Sequence, residues 1–167
     1  MRIKRKTLCL GVIIVLLLSV LIYIYSRSNM IEEKLTSAID QICAGEGECI
    51  LDLNDIFTDF EWDTVSIFMA GNSKQVIAKI GVDPDVSNGI AFSKNGVLQQ
   101  IDMSTYDFPM DAPPHISYSI EQSHPYNTYC ISLSKDRAKV KASKYLWNGV
   151  LKYSIWLDDK GIGLETH

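Results

Sequence analysis

Leu8 to Tyr25 reads LCLGVIIVLLLSVLIYIY, 18 residues without a charge, and nothing else in the chain limits its architecture so strongly. As a helix it would measure about 27 Å, close to the roughly 30 Å hydrocarbon core of a bilayer. A helix buried in a protein core is rarely apolar on every face. A cleaved signal peptide has a shorter apolar region, about 7–15 residues, ending in small residues. Here the run enters Ile24-Tyr25-Ser26-Arg27, and Cys9 precedes the apolar core rather than following it as a lipoprotein signal requires. The expectation is a transmembrane signal anchor within residues 1–26. Arg2, Lys4, Arg5 and Lys6 crowd one flank, whereas Arg27 stands before Glu32 and Glu33 on the other. The positive-inside rule then keeps the N-terminus cytoplasmic and exports residues 26–167. The expected location is the cell inner membrane, single-pass, with a periplasmic C-terminal domain and the lipid bilayer as a partner of residues 8–25.

Charge and composition narrow the exported part. It holds 12 bases and 20 acids, a balance of −8, and the whole chain carries −4, which argues against nucleic acid as a partner. A chain 47% hydrophobic and 22% charged folds rather than staying disordered. Residues 28–121 hold 16 acids and four bases, or −12, and residues 122–167 hold four acids and seven bases, or +3. Such a division steers partners if folding keeps the halves apart, and is neutralised if it does not.

An oxidising compartment permits disulfides. Cys43 and Cys49 bracket the polar stretch Ala-Gly-Glu-Gly-Glu, which can bring its ends together, so the expected bridge is Cys43–Cys49. Pairings of either with Cys130 remain open, although Cys130 sits in a strand-like run and reads as a small apolar residue.

Ile31, Leu35, Ile39 and Ile42 recur at helical spacing, giving an amphipathic helix within a juxtamembrane region, residues 27–45. Residues 46–167 form the exported domain. Its ILDLNDIFTDFEWD segment reads as one short helix or turn. Thr64–Met69 reads as a strand, and Ser73 caps a short helix that turns Val76, Ile77 and Ile80 inward and ends at Gly81. Ile90–Lys94 and Val97–Met103 flank Asn95-Gly96, and residues 138–147 and 150–157 flank Asn148-Gly149, both preferred two-residue hairpin turns. Residues 104–115 form a loop, and 116–120 and 128–133 are further strands. Lys139, Lys141 and Tyr153 alternate with apolar neighbours, the pattern of a sheet with one wet face. The fold class is α+β: a single N-terminal transmembrane helix, an amphipathic helix, then a mostly antiparallel sheet with short helices.

No constellation assembles into a catalytic centre. Asp83, Asp85 and Ser87 mimic a calcium loop, but Asn88 and Lys94 stand where glycine and a bidentate acid belong. His115, His124 and His167 lack ligand spacing, so neither a metal nor a cofactor is expected. No nucleophile motif, dinucleotide fingerprint or phosphate loop occurs. The chain reads as a non-enzyme. Its most distinctive stretch is Asp59-Phe60-Glu61-Trp62-Asp63, where Trp62 inside an acidic rim would anchor a protein partner through Asp59, Glu61, Trp62 and Asp63. The competing reading makes Phe60 and Trp62 core residues covering the end of the sheet.

The DFEWD-x-V-x-IF segment, followed by a short S-K-x-x-I-x-x-x-G helix and a hydrophobic hairpin, resembles a loose group of small bacterial envelope proteins, lipoproteins or single-span, over residues 50–100. The anchored, acidic, exported architecture is also similar to that of membrane-anchored immunity proteins that block toxins from neighbouring cells. The function this implies is a membrane-anchored periplasmic binding protein, an immunity protein against an envelope-acting toxin. The alternatives are an accessory subunit of an envelope complex and a small hydrolase using Asp59 or Asp63.

Overall fold

A computed structural model describes residues 30–45, 47–105, 116–121 and 128–158. Helix α1 (Met30–Ile42) follows the apolar periodicity: Ile31, Leu35 and Ile39 are fully buried, whereas Ile42, at the helix end, is half exposed. Strand β1 (Glu48–Asp52) leads directly into α2 (Leu53–Ile56), whose N-terminus is capped by the Asp52 carboxylate accepting from Asn54 N–H at 3.0 Å. The stretch expected as one helix or turn therefore divides into strand and helix. Strand β2 (Thr64–Phe68) is followed by α3 (Ser73–Ile80), capped by Asn72 rather than Ser73 and closed by Gly81 in the left-handed region. Strands β3 (Ser87–Lys94) to β8 follow: β4 (Val97–Thr105), β5 (Ile116–Glu121), β6 (Cys130–Ser134), β7 (Lys139–Trp147) and β8 (Val150–Asp158). Both Asn-Gly turns carry positive φ at both residues, the geometry that joins twisted strands tightly.

Two four-stranded sheets result, β1-β7-β8-β5 (sheet A) and β4-β3-β2-β6 (sheet B), antiparallel throughout except for the parallel pair β5–β8. The main core lies between them: Leu51, Val140, Ala142, Ile155 and Leu157 of sheet A meet Val65, Ile67, Ile90 and Phe92 of sheet B, with the apolar stripe of α1 added. On the other side of sheet B, Phe68, Ala91 and Cys130 pack with Val76 of α3. Gly89 belongs to this crowded region, because a Cβ there would stand 2.3 Å from the Asp102 carbonyl and 2.6 Å from the Phe68 ring. Asn88 ties the layers together. Its Oδ1 accepts from Ala70 N–H at 2.7 Å and its Nδ2 donates to the Tyr118 carbonyl at 3.0 Å, so the open edge of β5 is fastened to sheet B.

The mixed α+β architecture is present, but the expected transmembrane helix must be corrected. Among the described residues no helix is long and apolar enough to cross a membrane. The 13 residues of α1 span about 20 Å, and Glu32, Glu33, Lys34 and Asp40 line its surface. The 8–25 run lies outside the described residues, as do His115, His124, His167 and residues 106–115 of the loop expected over 104–115, whose first two residues end β4 instead. The single-pass inner-membrane topology with a periplasmic domain, and the bilayer as partner, are accordingly not carried forward. The anchored immunity reading, its accessory-subunit alternative and the membrane terms attached to them fall with that anchor.

Candidate binding surface

The acidic-aromatic segment is stitched into the fold from both sides. Asp63 N–H donates to Ser93 O at 2.9 Å, and Asp63 O accepts from Lys135 N–H at 2.8 Å. Trp62 is only 1% exposed. Its indole N–H donates to the Phe57 carbonyl at 3.0 Å, its ring meets Phe92 edge-on at 5.2 Å, and Lys135 Nζ sits 4.7 Å from the ring centroid. Phe57 and Phe60 complete the cluster around Phe92. Asp59 pairs with Lys34 of α1, and the hydrogen bond from that ammonium lowers the Asp59 pKa. The Asp63 carboxylate accepts from Asn95 N–H at 2.7 Å and from the Thr64 hydroxyl at 3.0 Å, and the Asn95 bond holds its pKa down. Glu61 is exposed, with Lys94 at 4.0 Å. The structure thus gathers Asp59, Glu61 and Asp63 at the surface around a Trp62 that faces inward, and two of the three acids fasten neighbouring elements.

Cys43 and Cys49 form a disulfide with Cα atoms 5.2 Å apart, and Cys130 is a buried free thiol. The bridge ties the end of α1 to β1, and Asp40 one turn earlier binds Lys144 Nζ and the Tyr153 hydroxyl, both at 3.0 Å. Tyr153 therefore faces the core instead of the wet face on which the alternation placed it. At the other end of α1, burial and then the nearby Asp102 charge raise the Glu32 pKa. The Tyr118 hydroxyl donates to Asp102 Oδ2 at 2.6 Å, and burial drives the pKa of this phenol well up. This constellation sits against a fully buried ring. Among the described residues no group of three His, Cys, Asp or Glu is arranged to hold a metal ion.

The side of sheet A turned away from the core carries a different set of residues. Register places Trp147 beside Val150, Tyr145 beside Lys152, Ser143 beside Ser154, and Lys141 beside Trp156. Ile50 flanks Lys141 from β1, and Ser119 flanks Trp156 from β5. Each row lies two residues from the next, so the four rows extend about 20 Å along the strands. Trp147, Tyr145 and Ile50 are 52%, 37% and 55% exposed. On β7 and β8 the outward positions hold Lys139, Lys141 and Lys152, and one acid, Asp158, at the end of β8. Further acids stand on the flanking strands: Glu48 and Asp52 on β1, the latter 3.9 Å from Lys139, and Glu121 on β5, in register with Asp158.

None of Tyr145, Trp147, Trp156, Lys141 or Lys152 was singled out by motif, because no motif contains them. The signal that identifies them is the Asn148-Gly149 turn. A two-residue turn sets the pairing 147↔150, and parity then puts Tyr145, Lys141, Lys152 and Trp156 on one face. No family model matches the chain, and no curated protein or solved structure matches it.

Proposed function

We propose that this is a non-catalytic binding domain whose recognition surface is the outer face of sheet A, and that its ligand is extended and acidic. The observation that carries this reading is the strip of exposed Trp147 and Tyr145 with half-buried Lys152, Lys141 and Trp156 on two adjacent strands. Aromatic side chains give large contact area at low entropic cost, and lysines set along a strip attract an acidic chain and speed its capture. Against the acid–base reading of Asp59 and Asp63 stands the way these two acids are used. Asp59 and Asp63 accept hydrogen bonds that keep them ionised, which suits neither to donate a proton to a leaving group.

The test is retention of the full chain on immobilised acidic polymers of three kinds: polyglutamate, a uronic-acid polysaccharide and oligothymidylate. Wild type is expected to be retained on at least one and eluted by salt, because these charges are screened within about 8 Å at physiological ionic strength. Lys141→Glu should abolish retention, whereas Lys74→Glu, on exposed α3, should leave it intact. No retention of wild type on any polymer, or equal loss with Lys74→Glu, rejects the reading.

A further inference from the structure

We propose that the ligand of this face is an acidic polysaccharide, its sugar rings lying over Trp147, Tyr145 and Trp156 and its acidic groups meeting Lys152 and Lys141. The proposal rests on the outer face of sheet A being the recognition surface, and narrows the class of ligand it takes. A sugar ring presents a flat C–H face bounded by hydroxyls. It needs an aromatic plane beneath and small polar groups beside it. The rows supply both: rings at Trp147, Tyr145 and Trp156, and hydroxyls at Ser143, Ser154 and Ser119.

Charge spacing separates this ligand from other polyanions. Lys152 and Lys141 stand two rows apart, about 14 Å, which suits a chain whose acids recur sparsely. Nucleic acid carries a phosphate at every nucleotide and is held by a dense basic track. Here acids border the strip at Glu48, Asp52, Glu121 and Asp158, where such a track would have to widen. An acidic polypeptide would satisfy the lysines without calling for rings in three of the four rows.

The experiment titrates the full chain with hyaluronan, which has one carboxylate per two sugars, and with dextran, polyglutamate and oligothymidylate. Tryptophan fluorescence and the sedimentation of the chain are followed together. Hyaluronan is expected to shift the emission, with affinity falling at least tenfold for Trp147→Ala and for Lys141→Ala. The thermal midpoint of Trp147→Ala should match wild type, since the side chain is exposed. Dextran should bind at least tenfold more weakly. Polyglutamate binding as tightly, with no effect of Trp147→Ala, would overturn the polysaccharide while leaving the face as a site for acidic protein. Tighter binding of oligothymidylate would assign it to single-stranded nucleic acid. Self-association lost in Trp147→Ala, without hyaluronan binding, would assign it to a second copy of the chain. No binding of any polymer removes both this proposal and the reading beneath it.

Discussion

Trp62 and Asn88 show how much single side chains hold here, and for opposite reasons. Trp62 packs edge-on against Phe92 and closes its only donor on the Phe57 backbone carbonyl. Trp62→Ala should therefore cost about 3–5 kcal/mol, as large-to-small changes at buried aromatics do. Thermal melting followed by circular dichroism checks this, and a midpoint equal to wild type would return Trp62 to the surface. Asn88 contributes by pairing. Replacement by Ala leaves the Ala70 N–H and the Tyr118 carbonyl without these partners. The expected cost is about 1–3 kcal/mol, most of it from the buried Tyr118 carbonyl, and urea unfolding measures it. Trp147→Ala provides the contrast. Lying half exposed near the hairpin tip, it should change stability by no more than about 0.5 kcal/mol.

At the scale of elements, α1 is tied to sheet A by three links at its C-terminal end: the Cys43–Cys49 bridge, Lys144 on Asp40, and the Tyr153 hydroxyl on the same carboxylate. The bridge closes a short loop of sequence separation 6. Its removal should cost about 2 kcal/mol by the chain-entropy relation. Urea unfolding of the full chain with and without reductant is the measurement. The expected result is a lower midpoint in reductant with a folded chain in its absence. The apolar stripe of α1 remains buried after reduction, so complete unfolding in reductant alone would mean that the bridge, and not the stripe, holds the helix.

For the whole molecule, pH dependence follows from carboxylates shifted in opposite directions. Glu32 has a raised folded pKa, so its contribution is fully present below the unfolded value of 4.5 and is lost as pH rises through the folded value. Asp59, held down by Lys34, contributes above its unfolded value of 3.8 and loses that contribution as pH falls through its folded value. Stability should accordingly rise on acidification from neutrality toward the middle 4s and fall below that. Glu32→Gln should flatten the upper limb, and Lys34→Met the lower. Thermal midpoints between pH 3 and pH 8 test both, and a Glu32→Gln profile parallel to wild type would deny Glu32 this role. Several parts of the molecule were legible without coordinates. The stripe of α1, the Asn-Gly hairpins, the α3 helix and the Cys43–Cys49 bridge all rest on local periodicity, turn chemistry or short loop closure, which act over a few residues. Other parts were decided by partners distant in the chain. Residues 50–52 of β1 read as the start of a helix or turn because they become a strand only against β7. Tyr153 turned inward because Asp40, 113 positions away, waits for its hydroxyl. Trp62 turned inward because the Phe92 ring, 30 positions away, packs against it, and no local pattern distinguishes a tryptophan that anchors a ligand from one that fills a core. Which face of sheet A stays open is likewise a tertiary matter, since alternation sorts residues into two faces while only packing against α1 and sheet B selects the one left to solvent.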